Sequence, residues 1–187
     1  MSRLAILALP VLLLGAVPAA ADEFTDTLEG ALKAYRDGDV KAAGDDLSYA
    51  SKLLSNQKAA ALAKFLPAAP SGWTREDEVS EDEGMGMAIL GGGTTAAARY
   101  SDGTSEVKLS LLADSPMVSS FGAMLGGLAQ VSGAKPMRVQ RVEFSDSEGE
   151  LRGIVDNRIL VTVEGDAPVE AKQALLEAMD FGALADY

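Results

Sequence analysis

The chain has no cysteine and no histidine among its 187 residues. Those two absences exclude a cysteine nucleophile, a Ser-His-Asp triad, a histidine general base and a Cys/His zinc site within this chain. They equally exclude haem held by His or Cys and a cysteine-ligated iron–sulfur cluster. Basic residues are scarce: 16 Lys and Arg stand against 28 Asp and Glu, a formal charge of -12. That balance argues against nucleic acid as a partner, because phosphate neutralisation needs clustered Lys and Arg. Aromatic residues make up only 5% of the chain, with a single Trp. Sugar-cleaving carboxylate pairs usually work beside aromatic platforms, so the many acids do not by themselves suggest a glycosidase. The chain carries one long apolar run, and it lies at the N-terminus.

Residues 1–21 read as a cleavable signal peptide. Arg3 supplies a positive start, residues 4–17 are apolar apart from Pro10 and Gly15, and Ala19-Ala20-Ala21 offers an A-x-A cleavage site. The run is shorter than the roughly 20 residues a membrane span needs. The expectation is an exported, periplasmic protein with no stable membrane insertion after cleavage. Without cysteine, no disulfide staples the fold, and its stability rests on its core.

The remaining chain changes texture at Pro67. Residues 22–66 hold no proline and are rich in Ala and Leu. Leu28, Leu32 and Tyr35 recur at helical spacing, Asp37-Gly38-Asp39 breaks the pattern, and Ala43, Leu47, Ala50 and Leu54 resume it. This predicts a helical hairpin over 24–36 and 40–65, resembling one tetratricopeptide-type unit. A lone unit of that kind must pack on the rest of the chain, on another copy or on a partner. The prolines and glycine of 67–72 form a connection before Trp73.

Residues 67–187 read as a sheet domain. Residues 84–90 are a short apolar run, and strands are expected over 94–100, 106–112, 138–144, 151–155 and 159–164, with Asp156-Asn157-Arg158 as a hairpin loop. Ser115-Pro116 opens a helix to about residue 131, and Pro168 opens a final one. The fold class expected is α+β: an N-terminal helical hairpin, then an antiparallel sheet packed with two helices. The domains are 1–21, 22–66 and 67–187.

Three segments together resemble a family of small, exported, uncharacterised proteobacterial proteins. They are Ala34-Tyr35-x-x-Gly38-Asp39, Leu66-Pro67-x-x-x-x-Gly72-Trp73, and residues 158–165 with Arg158, Leu160, Val161 and Gly165. The resemblance implies an envelope location and transfers no catalytic residue. The sheet with its terminal helix is also similar in architecture to Mog1/PsbP-type modules, which are usually binding modules.

Several patterns touch on chemistry. Residues 76–83 hold six acids, without the EF-hand spacing. Met85 and Met87 could share a strand face and offer two thioethers to copper, a sparse set. Ser55-x-x-Lys58 matches one motif of serine–lysine acyl enzymes, whose partner motifs are missing. Gly91-Gly92-Gly93 lacks the spacing of a phosphate loop. No metal site and no cofactor are expected. Tyr35, Tyr49 and Trp73 are the candidate binding groove, between the hairpin and the sheet. The leading expectation is a non-enzymatic periplasmic binding or accessory protein, whose hairpin contacts an envelope protein or a second copy. The alternative is a carrier holding an apolar ligand between the sheet and the 121–128 segment, or, further behind, a copper or divalent-metal binder.

Overall fold

The structure is a computed structural model that describes residues 21–78, 92–118 and 137–187. The signal-peptide reading, the apolar run 84–90 with Met85 and Met87, and the 121–128 segment lie outside the described residues. So does the acidic run beyond Glu78.

The chain divides into two compact units, residues 1–54 and 55–187. The first contains helix α1 (Ala21–Arg36) and most of α2 (Val40–Leu62), the pair that helical spacing predicts. The reversal is local chemistry. Gly38 takes φ +85°, a conformation that costs glycine little. Asp39 then caps α2, its carboxylate accepting from the Ala42 amide at 3.0 Å. The hairpin closes through small side chains: Ala31, Ala43 and Ala50 are its fully buried residues.

The second unit opens with the end of α2 and a 3-10 turn (Ala63–Phe65). Its strands are β1 (Thr74–Glu78), β2 (Thr94–Ser101), β3 (Glu106–Ala113), β4 (Met137–Val139), β5 (Val142–Ser147), β6 (Glu150–Val155) and β7 (Ile159–Gly165). Helices α3 (Val169–Glu177) and α4 (Phe181–Ala185) follow. The strands form a seven-stranded sheet in the order β1-β2-β3-β7-β6-β5-β4, every neighbour antiparallel. The α+β class is therefore as expected. Two meanders meet at the central β3–β7 pair, where Leu111 lies opposite Val161 and Leu109 opposite Val163.

Period-two alternation builds the core. Val107, Leu109, Leu111 and Ala113 of β3 are buried while Lys108 and Ser110 are only half-buried. The core joins them to Tyr100, Phe144, Leu151, Ile159, Val161 and Val163 of the sheet. Leu62, Leu66, Leu175, Leu176, Phe181 and Leu184 complete it from the helical segments.

The structure corrects one strand. Residues 138–144 are two strands, because Gln140 and Arg141 make a two-residue turn between Val139 and Val142. Gln140 sits at φ +55°, and its side-chain amide donates to the Met179 carbonyl at 2.7 Å. That bond to the chain just beyond α3 supports a turn that contains no glycine. The helix start at Ser115-Pro116 is present: the Ser115 hydroxyl accepts from the Met117 amide, and residues 116–118 are helical.

Candidate functional site

The hairpin carries the least expected feature. In α1 the inward stripe is Phe24, Thr27, Ala31 and Ala34; in α2 it is Ala43, Asp46, Ala50 and Leu53. Leu28, Leu32 and Tyr35 lie on one flank of the first stripe. Leu47 and Leu54 lie on the same flank of the second. In an antiparallel pair, equivalent flanks of the two stripes come together on one face. Those five side chains thus share a face, and none of them is covered: exposure runs from 37% at Leu28 to 67% at Tyr35. The positions between them are Thr25, Gly44 and Ser51, so this face has no charged side chain.

The opposite edge is polar. Tyr49 donates from its hydroxyl to the Glu23 carboxylate at 2.7 Å. The hydrogen bond to Glu23, and then the charge of that carboxylate, push the Tyr49 phenol up from its ordinary value. Gly30 lies level with Asp46, whose carboxylate oxygen would stand 3.1 Å from an added Cβ. These two contacts fix the pairing height of the helices.

The three residues proposed for a groove are therefore distributed as follows. Tyr35 and Tyr49 are both exposed and sit on opposite edges of the hairpin. Trp73 belongs to the second unit, half-buried against the core of the sheet, immediately before β1. The apolar spacing of Leu28, Leu32, Leu47 and Leu54 is visible in the sequence. That these leucines face outward is not, because alanines do the packing.

The described part of the acidic run is a strand with cationic partners. Glu78 contacts Arg99 at 2.5 Å and Lys108 at 2.8 Å, and Arg75 contacts Asp77 at 2.6 Å. The hydrogen bond from Lys108 foremost, with Arg99 behind it, holds the Glu78 carboxyl below its ordinary value. Arg99 also pairs with Glu106. Among the described residues no group of three or more His, Cys, Asp or Glu could hold a metal ion. Ser55 and Lys58 are exposed on α2 with no hydrogen bond between them among those described.

Two buried polar groups in the second unit have structural partners. Lys172 sends its ammonium to the Gly165 carbonyl at 2.7 Å and to that of Gly149. Tyr100 donates to the Pro67 carbonyl at 2.7 Å. Arg75 donates to the carbonyls of Leu66 and Pro67 at 2.8 and 3.0 Å, satisfying acceptors just beyond the helical end. Each holds one segment to another. Among the described residues, no helix is long and apolar enough to cross a membrane. No protein-family model matches the chain, and no curated protein or solved structure matches it either.

Proposed function

We propose that this chain is a non-enzymatic, exported binding or accessory protein whose helical hairpin makes protein–protein contact. One observation carries the reading: Leu28, Leu32, Tyr35, Leu47 and Leu54 stand exposed together on a face without charge. Contiguous apolar surface of this kind marks interaction sites in soluble proteins. Enough apolar residues are present for the hairpin to have packed through leucine, yet it packs through alanine. The leader-like residues 1–21 support export to the periplasm. The carrier reading gains no support, because the 121–128 segment it requires is not among the described residues.

The test is an affinity pull-down from a periplasm-plus-membrane extract, comparing the wild-type chain with a Leu32→Glu/Leu47→Glu variant. The expected result is a stoichiometric partner held by the wild type and lost by the variant. A partner retained equally by both refutes the hairpin as the contact site.

A further inference from the structure

We propose that the partner of this apolar face is the same face of a second copy, giving a two-fold, four-helix bundle. The proposal rests on the reading of the hairpin as a contact module and names what it contacts. A contact between identical copies requires a surface that is its own complement. A two-fold axis running along the hairpin, between the facing surfaces, lays α1 of each copy on α2 of the other. Such an axis leaves every residue at its own height, so the register is already set within one copy.

That register is self-complementary. With Gly30 level with Asp46, Leu32 is level with Gly44, and Leu28 is beside the height of Leu47. Across the axis Leu32 therefore meets Gly44 of the other copy. Gly44 is an open notch, since a Cβ added there would meet nothing within 4 Å. Leu28 meets Leu47, and Tyr35 meets Val40, which is also exposed. Each contact occurs twice and sets the side chains of one helix into the spaces of the next.

The charged residues nearest this face are Glu29 and Arg36 of α1 and Lys41 of α2, at its outer borders; Arg36 opposite Lys41 is a like-charged pair, near the tip of the hairpin. The face measures about 24 Å, from the 16 residues of α1, by about 20 Å for two helices. That is the small end of specific interfaces, the size of reversible rather than permanent contacts.

The experiment is sedimentation velocity on the purified, C-terminally tagged product of the full chain, across a concentration series. Expected is a monomer–dimer equilibrium whose midpoint rises at least about tenfold in Leu32→Glu. Gly44→Leu, which fills the notch without touching any contact within the copy, weakens the dimer similarly. It also favours the helix, so loss of folding does not explain the effect. A wild type that stays monomeric up to about 300 µM overturns the proposal. So does a dimer indifferent to Leu32→Glu and Gly44→Leu. If the wild type is monomeric but the extract yields a different protein in a Leu32-dependent manner, the second copy is refuted and the contact module stands. If nothing is captured in that manner either, both are refuted.

Discussion

At the scale of single residues, this protein is held by polar groups that the sequence does not flag. Tyr100 is fully buried, and burial pushes its phenol up to about 12 from an ordinary 10.0. The folded state thus favours the neutral hydroxyl, which donates to the Pro67 carbonyl. Between pH 10 and about 12 the unfolded chain gives up this proton while the folded chain keeps it. The contribution of Tyr100 to stability is whole below pH 10 and is lost as pH rises through that window. Tyr100→Phe should cost about 1 kcal/mol at neutral pH and make stability fall less steeply above pH 10, as measured by urea unfolding at several pH values. Gly153 makes a second case. An added Cβ would stand 2.6 Å from the Phe144 ring, which lies across it from the neighbouring strand. Gly153→Ala should therefore cost about 1–3 kcal/mol through overpacking, although alanine is otherwise better tolerated in a strand than glycine. An unchanged melting temperature would refute that account. Neither position was legible beforehand: tyrosines look alike in a sequence, and what Gly153 lies against depends on a strand pairing.

At the scale of elements, legibility follows how local the physics is. The two hairpin helices were readable because helical spacing and the Asp37-Gly38-Asp39 turn are contiguous in the chain. Strand β3 was readable from period-two alternation, and β2, β6 and β7 from the turns that bound them, Asp102-Gly103 and Asp156-Asn157-Arg158, where Asp156 and Asn157 both adopt positive φ. The β4–β5 turn was not readable, because Gln140-Arg141 lacks the usual turn residues and is supported from beyond α3. The pairing of β3 with β7 was not readable either, since it joins distant parts of the chain. For the candidate site, periodicity located the apolar residues but not that they face outward, because alanines do the packing. Strand β1 shows the same limit: its acids look like a solvated run, yet Glu78 is paired with Arg99 and Lys108. Because its carboxyl is held below the ordinary value of 4.5, this stabilisation is present above that pH and disappears as pH falls through the folded value. Glu78→Gln should flatten the acid side of the stability profile and cost about 0.5 kcal/mol at pH 7, the size of a solvent-screened ion pair. An acid limb identical to that of the wild type would show that other carboxylates dominate it.

At the scale of the whole molecule, the two units differ in what they bury. The sheet unit buries Leu, Ile, Val and Phe side chains, each contributing about 1.5–3 kcal/mol. The hairpin buries Ala31, Ala43 and Ala50, with only a methyl group apiece to offer. Amides at 23–54 should accordingly exchange with solvent through local opening, well below the free energy that protects β3 and β7. A hairpin with its leucines outward gains further stability only when something covers them. If a second copy does so, its binding energy adds to the local stability of α1 and α2 by mass action and leaves the sheet alone. At a concentration about 100 times the dissociation constant the gain is about 2.7 kcal/mol, or roughly a hundredfold slower exchange. Hydrogen exchange followed by mass spectrometry, at one protein concentration below the dimer midpoint and one well above it, reads both units in the same sample. Protection should rise with concentration in peptides from α1 and α2, stay constant in β3 and β7, and lose its concentration dependence in Leu32→Glu. Hairpin protection that already equals that of the central strands in the dilute monomer would mean that the alanine interface suffices, and that the exposed leucines contribute nothing to its stability.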